Sequence, residues 1–340
     1  MTVAHKPWKK HDFIFPCDIS KMEDDGSFSH LPESHFCVVG DVHGKGGLYK
    51  KVVEKSNYSL QVGDMGFDYD FLSDVDYNHH VFFGGNHDNY FSSAEFVQSK
   101  EHHWHDHRYP FLPPHHLGDW GTWEIPESSP SHNGHVVDMP NKLFYTRGAW
   151  SIDQDHRQLG YDWFPEEELN HSEMENAVQD FVIQRPFFMA SHSAPLSVVE
   201  YFSAAGMLPS GRVIKTRTNQ GLEAMLWSHR PKLWVFGHYH KDFMSKLNFL
   251  LEDGKVTNFS WNIDQILDCA KNKYDLNDTD LKLLACSDDL RSTQCNDGGS
   301  LNIQGVPVSL KIESTLFVCL DELSSLHFDE NMNLVKNNDA

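Results

Sequence analysis

The chain has 340 residues, enough for one large domain or two modest ones with a sizeable core. Its 28 basic residues against 49 acidic ones leave a formal net charge of −21, whose far field argues against an extended duplex nucleic acid or an anionic membrane as partner. No run approaches the roughly 18 apolar residues of a membrane span, no apolar signal core opens the chain, and the six cysteines form no CxxC pair, so a cytoplasmic protein with free thiols is expected.

Residues 1–34 are polar and mixed and predict an N-terminal extension with one strand near Phe13 to Phe15. From residue 35 a rhythm sets in. Short β-branched or aromatic runs, each ending in polar residues, occur at "FCVVGDVHG", "YSLQVGDMG", "HVFFGGNHD", "KLFYTRGAW", "FFMASHSAP" and "LWVFGHYH". Runs of this length that are apolar throughout predict strands buried on both faces. Helical patterns separate several of them: "GGLYKKVVEKS", "EEELNHSEMENAVQDFVIQ", "APLSVVEYFSAAG" and "TNQGLEAMLWSHR". The alternation predicts an α/β fold, in which polar residues at strand carboxyl ends line the ligand crevice.

One domain over 35–327 is expected, with insertions at about 90–140 (a loop or cap) and about 250–312 (a small subdomain), then a tail over 328–340. Two tempting motifs fail. "GDVHGKGG" is not a Walker loop, because Lys45 precedes Gly46 and Gly47 and no Ser or Thr is in register. "DLNDTDLKLLAC" is not a calcium loop, because Asp280 stands where Gly is needed and Cys286 where Glu is needed.

The strand ends carry Asp41 and His43, then Asp64, then Asn86, His87 and Asp88, then His192, then His238 and His240. Any one of these has an ordinary explanation: a histidine after a strand is more often a hydrogen-bonded rim residue, and an Asp after Gly is more often a turn residue. Five strand ends together, two with D-x-H and H-x-H spacing, do not. Seven of these residues suit a hard or borderline divalent ion, and no thiolate is among them, which favours manganese, iron, nickel, zinc or cobalt over a structural zinc. One ion rarely takes seven such ligands, whereas two ions sharing a carboxylate do, the arrangement that clamps both oxygens in phosphoester hydrolysis.

With GDVHG, GDMG, GGNHD, SHSAP and GHYH in this order, the chain resembles the calcineurin-like metallophosphoesterase superfamily. "HHLGDWG", "FYTRGAWSID", "DWFPEEEL", "TRTNQGLEAML", "PKLWVFGHYHKDF" and "FVCLDE" extend the resemblance to a subgroup associated with phages and prophages, over about 36–250 and 314–323. The resemblance implies a four-layer α/β/β/α sandwich of two mixed sheets, with a dinuclear site at strand carboxyl ends. It implies Asp41, His43 and His240 on one metal, Asn86, His192 and His238 on the other, and Asp64 bridging them. It further implies a bridging hydroxide as nucleophile, with His87 beside the leaving group and Asp88 orienting its imidazole. The location would then be the cytoplasm of the host cell.

Two departures narrow the reading. Asp64 is followed by "MGFDYD" and not by the Asp-Arg of many protein phosphatases, and Phe67 replaces the tyrosine that ligates ferric iron in purple acid phosphatases. Two divalent ions, manganese first, are therefore expected to acidify water and neutralise phosphoryl oxygens. His87, with an ordinary pKa of about 6.5, is expected to protonate the leaving group while Asp88 keeps its ring cationic. Arg147 or Arg157 is expected either to grip the substrate phosphate bidentately or to sit in a structural ion pair. His103, His105 and His107 in "EHHWHDHRYP" belong to a solvated loop, a cap or a third metal site. The substrate is a phosphoester of a small molecule, nucleotide or phosphoprotein, the enzyme a phosphatase or phosphodiesterase. The alternatives are a nuclease or cyclic-nucleotide phosphodiesterase of the same superfamily, or a non-catalytic metal-binding scaffold.

Overall fold

The computed structural model describes residues 12–24, 26–90, 113–126, 142–206, 215–286, 301–302 and 309–336. In chain order the elements are β1 (Ile14–Phe15), β2 (Ser34–Val39), α1 (Gly46–Val53), β3 (Ser56–Gln61), β4 (His80–Phe82), β5 (Trp120–Glu124), β6 (Lys142–Thr146), α2 (His171–Gln184), β7 (Phe188–Ser191), α3 (Leu196–Ala204), α4 (Arg217–Ser228), β8 (Leu233–Phe236), β9 (Phe243–Glu252), β10 (Lys255–Ser260), α5 (Ile263–Tyr274), α6 (Asp278–Cys286), β11 (Leu301–Asn302), β12 (Ser309–Cys319) and β13 (Ser325–Phe328). All six expected strand runs and all four expected helices are present. Helix α2 starts five residues inside the expected pattern that opens at Glu166, through a capping box in which Asn170 Oδ1 accepts from Glu173 N (3.0 Å) and Glu173 Oε2 accepts from Asn170 N (2.7 Å).

The strands form two mixed sheets. The first has the order β1-β13-β2-β3-β4, with β2, β3 and β4 parallel; the second runs β10-β9-β12-β8-β7-β6-β5, with β6, β7, β8 and β12 parallel and β11 paired to β12. Period-two geometry explains why the runs are apolar at consecutive positions. In β2, Phe36 and Val38 enter a core that also takes Leu143 and Tyr145 of β6 and Leu233 and Val235 of β8, so this core draws on both sheets. The alternate residues Cys37 and Val39 instead pack with Tyr49, Val52 and Val53 of α1. In β8, Trp234 and Phe236 turn to Ala177 and Phe181 of α2, Phe202 of α3 and Leu222 and Met225 of α4.

Some elements lie where the sequence suggested none, whereas β1 falls in the expected N-terminal stretch. β5 falls within the loop-like 90–140 region and pairs antiparallel with β6. The 250–312 region begins inside β9, which pairs with β12 along ten residues, and α5 and α6 pack on this part of the sheet through Ile266, Ala270 and Leu284. β1 pairs with β13, and Phe13, Ile14, Phe328 and Met332 enter the core, so both the N-terminal segment and the start of the tail contribute to it. Among the described residues, no helix is long and apolar enough to cross a membrane.

His327, on β13, is fully buried, with Nδ1 2.8 Å from Ser34 Oγ and Nε2 2.8 Å from Ser325 Oγ. Burial pushes its pKa down to about 3, whereas the unfolded ring protonates near its ordinary value of about 6.5. The stabilisation is therefore complete above about 6.5 and is lost as pH falls towards about 3, because the unfolded chain alone takes up the proton. Between pH 7 and pH 5 the unfolding free energy in urea should fall by about 2 kcal/mol more for the native chain than for His327→Gln. Equal slopes would contradict this reading.

Candidate metal centre

Because β2, β3 and β4 are parallel, as are β7 and β8, the residues leaving their carboxyl ends emerge at a common edge of each sheet. His43, Asp64, His238 and His240 all have left-handed backbone, with φ of 48°, 59°, 70° and 49°. Such φ values are unfavourable outside glycine and survive only where the surroundings over-determine them. Here they do. The Asp64 carbonyl accepts from Val42 N (2.9 Å) and His43 N (2.8 Å), the Asp41 carbonyl accepts from Leu323 N (2.8 Å), and both Asp41 carboxylate oxygens accept from His238 N (3.1 Å each).

The side chains converge in two groups, Asp41 with His43 and His240, and Asp64 with His192 and His238, with the ligand atoms of each group within 4.8 Å of one another. Asn86 joins the second group: its Oδ1 lies 2.8 Å from His238 Nδ1 and 3.0 Å from His192 Nε2. Asp64 reaches both, with Oδ1 3.2 Å from His192 Nε2 and Oδ2 3.8 Å from His43 Nε2. His192 Nδ1 donates to the Val62 carbonyl (2.8 Å), which aims Nε2 inward, the usual device for orienting a ligating imidazole. Two glycines make room: a Cβ at Gly237 would run into the Asp41 carboxylate, and one at Gly85 would lie 2.6 Å from His192 Nε2 and collide with the Asp64 carboxylate.

The electrostatics are those of a site short of positive charge. Burial pushes Asp41 well up, a rise that His192 opposes and the neighbouring Asp64 adds to. Burial alone would raise Asp64 as well, but His192, His87 and His43 together hold its carboxyl well below the usual carboxylate range. His192 itself is pushed up to about 9: burial opposes this, and Asp64 and Asp41 outweigh it. Two atoms remain without a hydrogen-bond partner although buried, His43 Nε2 and Asp64 Oδ2. An orphaned acceptor on each side of the gap between the two groups, within a set of imidazole, carboxylate and amide oxygen, fits divalent cations.

His87, Asp88 and the two arginines sit among partners that the sequence did not show, and Arg147 takes the ion-pair alternative. The Asp88 carboxylate accepts from the backbone N–H groups of Asp64 (2.9 Å), Gly66 (3.0 Å) and Gly85 (2.7 Å), tying the β3 and β4 ends together, and makes no hydrogen bond to the His87 ring. The ring meets Arg157 instead, whose Nη2 lies 2.6 Å from Nε2. A guanidinium donating to Nε2 requires that nitrogen unprotonated, and burial, reinforced by Arg157, pushes the His87 pKa down to about 4. The ring is thus neutral in the free site, not cationic. Arg157 is held by the Asn86 carbonyl (3.0 Å), the Asp162 carbonyl (3.2 Å) and the Asp153 carboxylate (2.8 Å). Arg147 is a structural ion pair: it donates to the Asp119 carboxylate and the Glu166 carbonyl and lies over the Tyr90 ring, 4.8 Å from its centroid. His103, His105 and His107 lie outside the described residues. Of the nearby histidines, His115 Nε2 donates to the Val75 carbonyl (2.8 Å) and His116 Nδ1 accepts from Gly118 N (3.0 Å).

Sequence reasoning missed Ser151, which accepts from Asn86 Nδ2, and Glu167, which accepts from Ser151 Oγ. Both lie in the stretches "FYTRGAWSID" and "DWFPEEEL" that carried the resemblance, yet neither has ligand-like spacing that would single it out.

Replacing Gly85 by Ala should cost about 1–3 kcal/mol in urea unfolding, because the new methyl displaces Asp64 or His192. Gly47→Ala, in α1 with nothing within 4 Å of its Cβ position, should instead leave stability unchanged or raise it by up to about 1 kcal/mol. Equal costs at the two positions would mean that the Gly85 cradle is not tightly built. A scan against protein-family models finds no match to this chain, and a search of curated proteins finds none either.

Proposed function

We propose that the chain is a metal-dependent phosphoester hydrolase of the calcineurin-like metallophosphoesterase superfamily, a phosphatase or phosphodiesterase. On this reading α1, the two sheets and α2 to α4 form its four-layer sandwich. The observation that carries the proposal is the convergence of seven ligand-type residues from five strand ends on a gap bordered by the orphaned His43 Nε2 and Asp64 Oδ2. Asp41, His43 and His240 would hold one divalent ion and Asn86, His192 and His238 the other, with Asp64 shared; manganese suits the donor set, as do iron, nickel, zinc and cobalt. Bound there, the ions supply Lewis acidity, neutralising phosphoryl oxygens and acidifying water.

The chain's own groups complete the chemistry. His87 is anchored beside Asp64, whose Oδ1 accepts its backbone N–H (2.7 Å). Its ring and the Arg157 guanidinium lie side by side, so an entering phosphoryl oxygen would draw the Arg157 donors to itself and free the imidazole nitrogen to take up a proton from water and pass it to the leaving-group oxygen. Asp88 acts by holding the Asp64 and Gly85 backbone in register. The far field of −21 favours a compact ester, including a short or cyclic nucleotide, over a long duplex.

With manganese supplied, the native chain should cleave bis-p-nitrophenyl phosphate or p-nitrophenyl phosphate. His87→Gln should lower kcat by about 10²–10⁴, and Asp64→Asn should abolish turnover. If neither ester is cleaved above the Asp64→Asn background, the proposal fails.

A further inference from the structure

The Asn86 side chain presents two ends of nearly equal size, and only the oxygen can ligate a cation. Its Oδ1 faces His192 and His238, while Nδ2 points the other way and donates to Ser151 Oγ (3.1 Å). A serine hydroxyl alone does not choose between these orientations, because it can donate to an amide oxygen as readily as it accepts from an amide nitrogen. With Glu167 ionised, Ser151 has no such choice, since its proton goes to Glu167 Oε2 (2.5 Å). With the proton committed, Oγ is left as an acceptor, and Asn86 must turn its NH₂ towards it.

Glu167 is itself immobilised. Its Oε1 accepts from Phe164 N (3.3 Å) and lies 3.6 Å from Arg157 Nη1, and its backbone carbonyl accepts from Ala149 N (3.1 Å). Gly148, at φ 99°, passes so close to that carbonyl that a side chain would not fit. Ser151, Glu167 and Asn86 are 1 %, 2 % and 3 % exposed, so bulk water does not readily stand in for a missing partner. Burying a carboxylate next to a serine and an amide is expensive for the fold and is explained by what it imposes on the amide.

We propose that Glu167 and Ser151 are positioning residues that act in series to present the Asn86 amide oxygen to the metal held by Asn86, His192 and His238. The inference rests on the metal-site reading above. Manganese titrated calorimetrically into the metal-free protein at pH 8.5 under nitrogen tests it, using the native chain, Ser151→Ala, Glu167→Gln and the double variant. The native chain should bind two ions. Ser151→Ala should weaken one of them by about 10–100-fold and leave the other unchanged. Glu167→Gln should weaken the same ion by about 10-fold, and the double variant should lose no more than Ser151→Ala alone, because the two residues form one chain of bonds. A merely structural defect would lower both affinities, and independent effects would add. Glu167→Gln, which preserves volume, carries the test if Ser151→Ala does not fold. Two ions bound at native affinity by the folded variants would overturn the relay and leave the metal site standing; no ion bound by the native chain would overturn both.

Discussion

Asp64 ties the ends of β2, β3 and β4 together through both its backbone and its carboxylate. Its carbonyl receives two N–H groups from the loop after β2, its own N–H is gripped by Asp88 of the β4 end, and one carboxylate oxygen accepts from His87 N while facing His192. The other oxygen is buried, without a partner, and directed at His43. All this is achieved at a φ of 59°, a conformation the residue would leave if those bonds did not hold it. On the proposed reading a cation completes this carboxylate, whose buried oxygen without a partner is otherwise costly.

The remaining arrangement follows from keeping that carboxylate in place. Asp88 secures the backbone behind it, Gly85 gives it space, and Tyr69 supports Asp88 from the far side, donating to its Oδ1 (3.4 Å) and accepting from Asn89 N (3.0 Å). Further out, Ser193, Asn219 and Tyr239 join the loops that carry His192 and His238: Asn219 Nδ2 donates to Ser193 Oγ (2.8 Å) and the Ala194 carbonyl (2.7 Å), and Ser193 Oγ lies 2.9 Å from the Tyr239 hydroxyl. The positive charge closest to His87 comes from Arg157, at the end of a segment that departs from β6, and it enters the site beside the imidazole. Arg147, four residues beyond Leu143, spends its charge on Asp119 and the Tyr90 face.

Much of this was legible in the sequence, and for a physical reason. A strand buried on both faces is mostly apolar, and a ligand-bearing end must then break into polar residues, so β2, β4, β7 and β8 announce themselves locally, while β3 buries the polar Ser59 and Gln61 and is marked chiefly by its polar end. Asp41, His43 and His240, and Asp64, His192 and His238, come together in two groups that could hold an ion. What was not legible depends on partners far away in the chain. Phe15 pairs with Ser325 and Leu316 with Lys246, and nothing near β1, β9, β12 or β13 signals those pairings. The fates of Asp88 and Arg147 were hidden likewise: a carboxylate next to a histidine in sequence turned out to serve three backbone N–H groups, and an arginine near the site turned out to be paired elsewhere. Glu167 and Ser151 escaped notice because their importance lies in a bond polarity that only three-dimensional contact reveals.

The central claim is that two cations share Asp64. Crystals of the native chain soaked in manganese, with anomalous diffraction recorded at the metal edge, test it most directly. Two peaks should appear roughly 3.5–4 Å apart, one ringed by Asp41, His43 and His240, the other by Asn86, His192 and His238, and both in contact with Asp64. A single peak, or peaks only at histidines away from Asp64, would contradict it.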